Sequence, residues 1–278
     1  MRIILFLLLG VARMYNLILA DLFKIRKSMT IKVIFAITTI SAVAMVMMAY
    51  LIQQGSISTS MAGIGFMFSD INVMSILGAV MAGVFICGDF DNKIIHESIA
   101  NGNSRGTVIV VKIITFLCSI VVILIPYIVA TVIAFGTGYK FSMGSVSIGF
   151  LNLLTVETGK VLSAVEMWKL LVVMLTLLLV YLAQMSLCIP LALALKKPVF
   201  VVAIYYGATI LFAQLVGVKN FSLVIYNIFS CTPYGGKHSM VVLNTGTGEI
   251  FKTISISLLF ISTMFFISYF TFRKSEIK

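Results

Sequence analysis

The chain has 278 residues, 61% of them hydrophobic and 10% charged, with a formal net charge of +11. A soluble domain carries roughly 25% charged residues, and a mean hydropathy of +1.15 leaves more apolar surface than a water-facing shell can hold. The composition excludes a soluble globule and points to an all-α, polytopic membrane protein.

Arg2 and the apolar run 3–12 have the look of a signal-peptide core. The run is too short to span a bilayer, so it reads as an extra interfacial turn or an upstream start preceding Met14. Residues 14–29 read as an interfacial amphipathic helix. Tyr15, Ile18, Leu19, Leu22, Phe23, Ile25 and Met29 share one face, while Asn16, Asp21, Lys24, Lys27 and Ser28 lie opposite. Arg26 falls on the apolar face, where a long side chain can snorkel. The alternative is that this helix extends the first span.

A membrane helix needs about 20 mostly apolar residues. Six stretches qualify: 33–52, 71–88, 113–135, 170–195, 199–218 and 253–272. None contains Asp, Glu, Lys, Arg or His. Backbone groups in lipid must bond internally, which makes these runs helices, and no period-two alternation suggests barrel strands. With both termini inside, fourteen Lys and Arg fall on the inner side and six on the outer. That bias gives an N-in, C-in topology of six transmembrane helices. Longer outer loops run over 136–169 and 219–252.

The most informative stretch is Gly88 to Lys112, between the second and third spans. A short helix over 89–100 fits it, with Asp89 and Asp91 in the first turn. Gly102 suits a left-handed stop, and Ser104 suits the cap of the third span. Phe90 with Ile94, and Ile95 with Ile99, pair at i, i+4, giving apolar surface too short to cross a bilayer. Such a helix rests on lipid headgroups or docks on a partner.

This stretch resembles the segment after the second span of type-2 ABC exporter permeases. The resemblance is carried by Asp89-Phe90, Lys93, Glu97-Ser98-Ile99-Ala100, Gly102, Ser104-Arg105 and Lys112, preceded by the basic amphipathic helix from Met14 to Lys27. Span count, size and topology are similar along the whole chain. The nearest likeness is to small bacteriocin-immunity and bacitracin-resistance permeases of Gram-positive bacteria. The resemblance implies a single membrane domain over 1–278, in a bacterial plasma membrane. It also implies a second permease subunit, same or related, and separate ABC ATPase subunits that hydrolyse the ATP. Asp89, Phe90, Lys93, Ile94, Ile95, Glu97, Ser104 and Arg105 then form the ATPase-coupling segment, while the bilayer is the other partner.

Residues for chemistry of the chain's own are scarce. His96-Glu97 is adjacent, but position 100 is alanine, so HExxH is absent. Gly235-Gly236-Lys237 lacks a P-loop frame. Cys87, Cys118, Cys188 and Cys231 form no CxxC and no zinc spacing. The basic residues cluster beside the spans as orientation signals, which excludes a nucleic-acid partner. No cofactor, metal or catalytic residue is expected. Uncharged spans argue against an ion-coupled carrier and against an intramembrane enzyme. They suit a hydrophobic or amphipathic cargo, such as an antimicrobial peptide. Thr232-Pro233-Tyr234-Gly235-Gly236 reads as a chain reversal or, alternatively, an extracellular gate.

Overall fold

The computed structural model of the chain describes residues 2–143, 147–159, 163–217, 229–235 and 237–274. Lys160, Lys219, Gly236 and Lys278 lie outside them. Among the described residues the secondary structure is helical, with no strand. Helix α1 is Arg2–Lys27 and α2 is Met29–Gln53. Then come α3 (Ala62–Met67), α4 (Asp70–Ala82), a π-helical turn (Gly83–Cys87), α5 (Gly88–Asp91) and α6 (Ile94–Ala100). They are followed by α7 (Arg105–Gly136), α8 (Phe150–Glu157), α9 (Ala164–Ser186), α10 (Cys188–Leu195), α11 (Pro198–Gly217) and α12 (Thr247–Lys274).

Five segments are long and apolar enough to cross a membrane: Met29–Gln53, Gly63–Asp91, Arg105–Gly136, Ala164–Leu195 and Thr247–Arg273. Within α11 the apolar stretch Pro198–Phe212 is shorter than these. The fold is that of a multi-pass α-helical membrane protein. Its outward face carries Ile40, Leu175, Leu211 and Leu259, all exposed, as a bundle solvated by lipid requires.

Local chemistry sets the breaks between helices. Ser28 ends α1 and caps α2, its hydroxyl accepting from Thr30 N at 3.2 Å. The amphipathic segment is therefore a helix separate from the first span, and one continuous helix, Arg2–Lys27, joins it to the residues before Met14. In the fourth span the chain steps at Leu187, between α9 and α10. Pro190 lacks the N–H that Ser186 O would accept, and its ring crowds that carbonyl. Lys196 closes α10 in the left-handed region, at φ 54°, and Pro198 opens α11. Gly83, in the π turn, admits Pro198 so closely that a Cβ would lie 3.0 Å from its Cα.

Helix α7 runs through the middle of the bundle, touching α1, α2, α4, α6, α8, α9 and α12. It contributes Ile109, Ile120, Ile123, Leu124 and Tyr127 to the core. One end of the bundle carries α6 and the lysines of α1. The other carries α8 and the turn at 229–235.

Candidate functional site

The segment between the second and third spans is two helices, not one helix over 89–100. Helix α5 completes the second span, and Asn92 ends it, its Nδ2 donating to Gly88 O at 2.8 Å. Lys93 follows at φ 57° and ψ 13°, left-handed, so α6 starts on a new axis. This kink decides which side chains face outward. Ile95 is 1% exposed and Ile94 half-buried. Gly102 stops α6 at φ 84°, and the Ser104 hydroxyl caps α7 by accepting from Thr107 N at 3.0 Å, both as expected. Between these anchors Asp91, Asn92, Lys93, Glu97, Asn101 and Arg105 are exposed. Glu97 and Arg105 do not pair with each other, although their charges are opposite.

Asp89 and Phe90 face inward. The Phe90 ring packs against Phe272, centroids 6.1 Å apart, under the Lys196 ammonium at 5.2 Å. Asp89 is 2% exposed and lies at the centre of an ionic cluster. Its Oδ1 pairs with Lys24 Nζ, and its Oδ2 pairs with Lys112 Nζ at 2.6 Å. Lys112 also reaches Asp21 Oδ2 at 2.5 Å. Two lysines and two aspartates balance. Asp89 and Lys112 are the buried pair, which needs its partners because a lone ion out of water is strongly disfavoured, while Lys24 reaches in from a half-exposed position. The cluster joins α1, α5 and α7. Helix α1 therefore turns part of its polar face, Asp21 and Lys24, toward the bundle, while Tyr15, Leu19 and Phe23 of its apolar face stay exposed.

The spans are not free of charge. The second begins before residue 71 and includes Asp70, which is 0% exposed. Its Oδ2 accepts from Phe150 N at 2.7 Å and from the Tyr181 hydroxyl, so it caps α8 from across the bundle. Its Oδ1 is buried without a hydrogen-bond partner. Phe150 and Tyr181 stack, 5.9 Å apart and 10° from parallel. Gly149, at φ 69°, has no room for a Cβ, which would strike the Tyr181 hydroxyl and the Asp70 carboxylate. Lys112 lies within the third span, Arg105–Gly136.

Around Asp70 the same end is closed by hydrogen bonds to loop backbone. Gln184 Nε2 donates to Pro233 O at 2.9 Å and to Ser239 Oγ at 3.2 Å. Gln184 O accepts from the Tyr234 hydroxyl at 2.8 Å. Gly149 N donates to Ser239 O at 2.7 Å, and Leu243 N to Glu157 Oε1 at 3.1 Å. His238 Nε2 donates to Ser230 O at 2.8 Å, with Nδ1 2.9 Å from Thr253 Oγ1. The turn at 232–235 is bonded through Pro233 O and the Tyr234 hydroxyl to Gln184 of α9.

Among the described residues no group of three or more His, Cys, Asp or Glu side chains is placed to hold a metal. The architecture defines a multi-pass membrane protein with a buried ionic cluster at one end and a buried hydrogen-bonded carboxylate near the other. No protein-family model matches the chain, and no curated protein matches it.

Proposed function

We propose that the chain is the membrane-spanning permease subunit of an ATP-driven exporter of the type-2 ABC class. It would work with separate ATPase subunits and a second permease subunit, in a bacterial plasma membrane, as six spans with both termini inside. The observation that supports this most is the strap formed by α6 and its flanks. Ile95 anchors it in the bundle, and it presents Asp91, Lys93, Glu97 and Arg105 outward beside the ionic cluster. A strap held rigidly on one face and polar on the other can receive a push from a water-soluble subunit and pass it to the second and third spans, which it joins. ATP-driven closure of the ATPase pair would tilt those spans and open a path outward for a hydrophobic or amphipathic cargo. Of the coupling residues, Lys93, Glu97 and Arg105 would touch the ATPase. Asp89, Phe90, Ile95 and Ser104 would hold the strap in place, with Ile94 at its edge.

The test is a Lys93→Glu/Glu97→Lys/Arg105→Glu variant purified from its native membranes. Wild-type chain should carry a nucleotide-binding subunit and vanadate-sensitive ATP hydrolysis, both lost from the variant at unchanged thermal stability. A variant with equal copurification and equal hydrolysis would sink the reading.

Asp70 favours a second reading, a stand-alone carrier coupled to an ion gradient. A buried carboxylate within a span, with one oxygen unpartnered, is an arrangement such carriers use. Gradient-driven uptake by the chain alone in vesicles, abolished by Asp70→Asn, would establish it. Uptake that needs an ATPase subunit would exclude it.

A further inference from the structure

A cleft of about 480 Å³ opens on the lipid-facing side where α1, α2 and α7 meet, within the roughly 300–1,000 Å³ typical of small-molecule sites. Its mouth carries Arg26, the second-last residue of α1, and Lys32, in the first turn of α2. Below them the walls are apolar, formed by Leu22, Ile25, Phe35 and Val122. The one hydroxyl at the wall, Ser119, is committed to Thr115 O at 2.7 Å. Below the mouth the lining offers a polar solute only the Cys118 thiol and an occupied hydroxyl.

Among the described residues no acid is paired with the charges at the mouth. Asp21 and Asp89, the nearby acids, are held by Lys112 and Lys24. Arg26 and Lys32 are exposed and have no ion-pair partner among the described residues. Two cations without an ion-pair partner among the described residues, above an apolar wall, match an amphiphile with an anionic head and a hydrocarbon chain. Ile31 to Phe35 and Cys118 to Val122 each cover about 6 Å of helix axis, so the cleft takes the part of the chain nearest the head.

We infer that this cleft is a binding site for a single anionic phospholipid, with its phosphate on Arg26 and Lys32 and one acyl chain between α2 and α7. The inference needs only a membrane-embedded chain and stands apart from the exporter proposal. A lipid seated there would wedge α1 against the bundle next to the ionic cluster.

The experiment uses the full chain in nanodiscs of zwitterionic phosphatidylcholine with 0–30% anionic phosphatidylglycerol. Native mass spectrometry of the released protein should find one phosphatidylglycerol retained per chain. Arg26→Gln/Lys32→Gln should lower its occupancy at least tenfold. Lys93→Gln/Arg105→Gln removes the same charge from the same end and should retain it. Equal loss in both pairs, or equal retention, overturns the site, since only diffuse attraction would remain.

A second readout covers a charge variant that fails to fold. In a Cys231→Ser background Cys118, on the cleft wall, is the exposed thiol, because Cys87 and Cys188 are buried. Phosphatidylglycerol should slow its alkylation by N-ethylmaleimide at least fivefold, and phosphatidylcholine should not. Inorganic phosphate supplies the same charge without a chain. Protection by phosphate alone, or none by phosphatidylglycerol, refutes the proposal.

Discussion

The two ends of the bundle bury polar groups in opposite ways. At the end carrying α6, charge meets charge: Lys24 and Lys112 hold Asp21 and Asp89. At the end carrying α8, side chains meet backbone: Asp70 takes Phe150 N, Gln184 takes Pro233 O, and Glu157 takes Leu243 N. Ion pairs between helices tie rigid elements together and fail when one partner is removed. Side-chain bonds to loop backbone fix irregular chain against the spans, because unpaired peptide groups at membrane depth are not tolerated. One end is a joint between helices and the other a plug of loop.

The sharpest way to break the comparison is Lys112→Ala. It leaves Asp21 and Asp89 facing each other with Lys24 alone, and breaking a buried pair costs about 3–5 kcal/mol. Thermal unfolding in detergent should show the largest loss of any substitution discussed here. Lys112→Met together with Asp89→Leu should recover much of it, since apolar replacement of a buried pair is often neutral. Next comes Ile95→Ala, expected to cost roughly 2–5 kcal/mol as a truncation in a packed site. Ile94→Ala should cost clearly less. Equal costs for the two isoleucines would mean that the kink at Lys93 does not orient α6.

The opposite end should be softer. Asp70→Ala leaves Phe150 N and the Tyr181 hydroxyl unpaired, at about 1–3 kcal/mol for each buried group, but it also removes a carboxylate whose Oδ1 is buried without a partner, which offsets part of that loss. Gly149→Ala should approach the same loss, because its new Cβ meets the same two side chains. The double variant should fall well short of the sum of the singles, since both disturb one contact. Additive losses would separate Gly149 from the Asp70 site.

Helix content and most span positions are legible in the sequence, because about 20 uncharged apolar residues admit few other structures. The Gly102 stop and the Ser104 cap are legible for the same local reason. The kink at Lys93 is not. Left-handed backbone favours glycine or asparagine, and nothing marks a lysine for it. Asp70 stands one residue before an apolar run, where an acid reads as an ordinary helix-start residue. Its partners Phe150 and Tyr181 are 80 and 111 positions away. Asp21 and Lys24 read as solvent-facing because a helical wheel separates faces by polarity. It cannot show that Asp21 and Lys24 turn toward the bundle together with Ile25 of the apolar face.

The smallest expected effect tests the kink itself. Lys93 sits at φ 57°, where a residue with a Cβ is strained by roughly 1–2 kcal/mol and glycine is not. Glycine also loses more chain entropy on folding, by roughly 0.5–1 kcal/mol. Lys93→Gly should therefore change stability by less than about 1 kcal/mol, most simply as a slight gain. Lys93→Val, whose branched Cβ resists that region, should lose more. In the exporter proposal Lys93→Gly also deletes a cation from the outward face, so ATPase association should weaken while stability holds. A fall in stability with Lys93→Gly as large as with Lys93→Val would place the side chain, not the backbone, at the root of the kink.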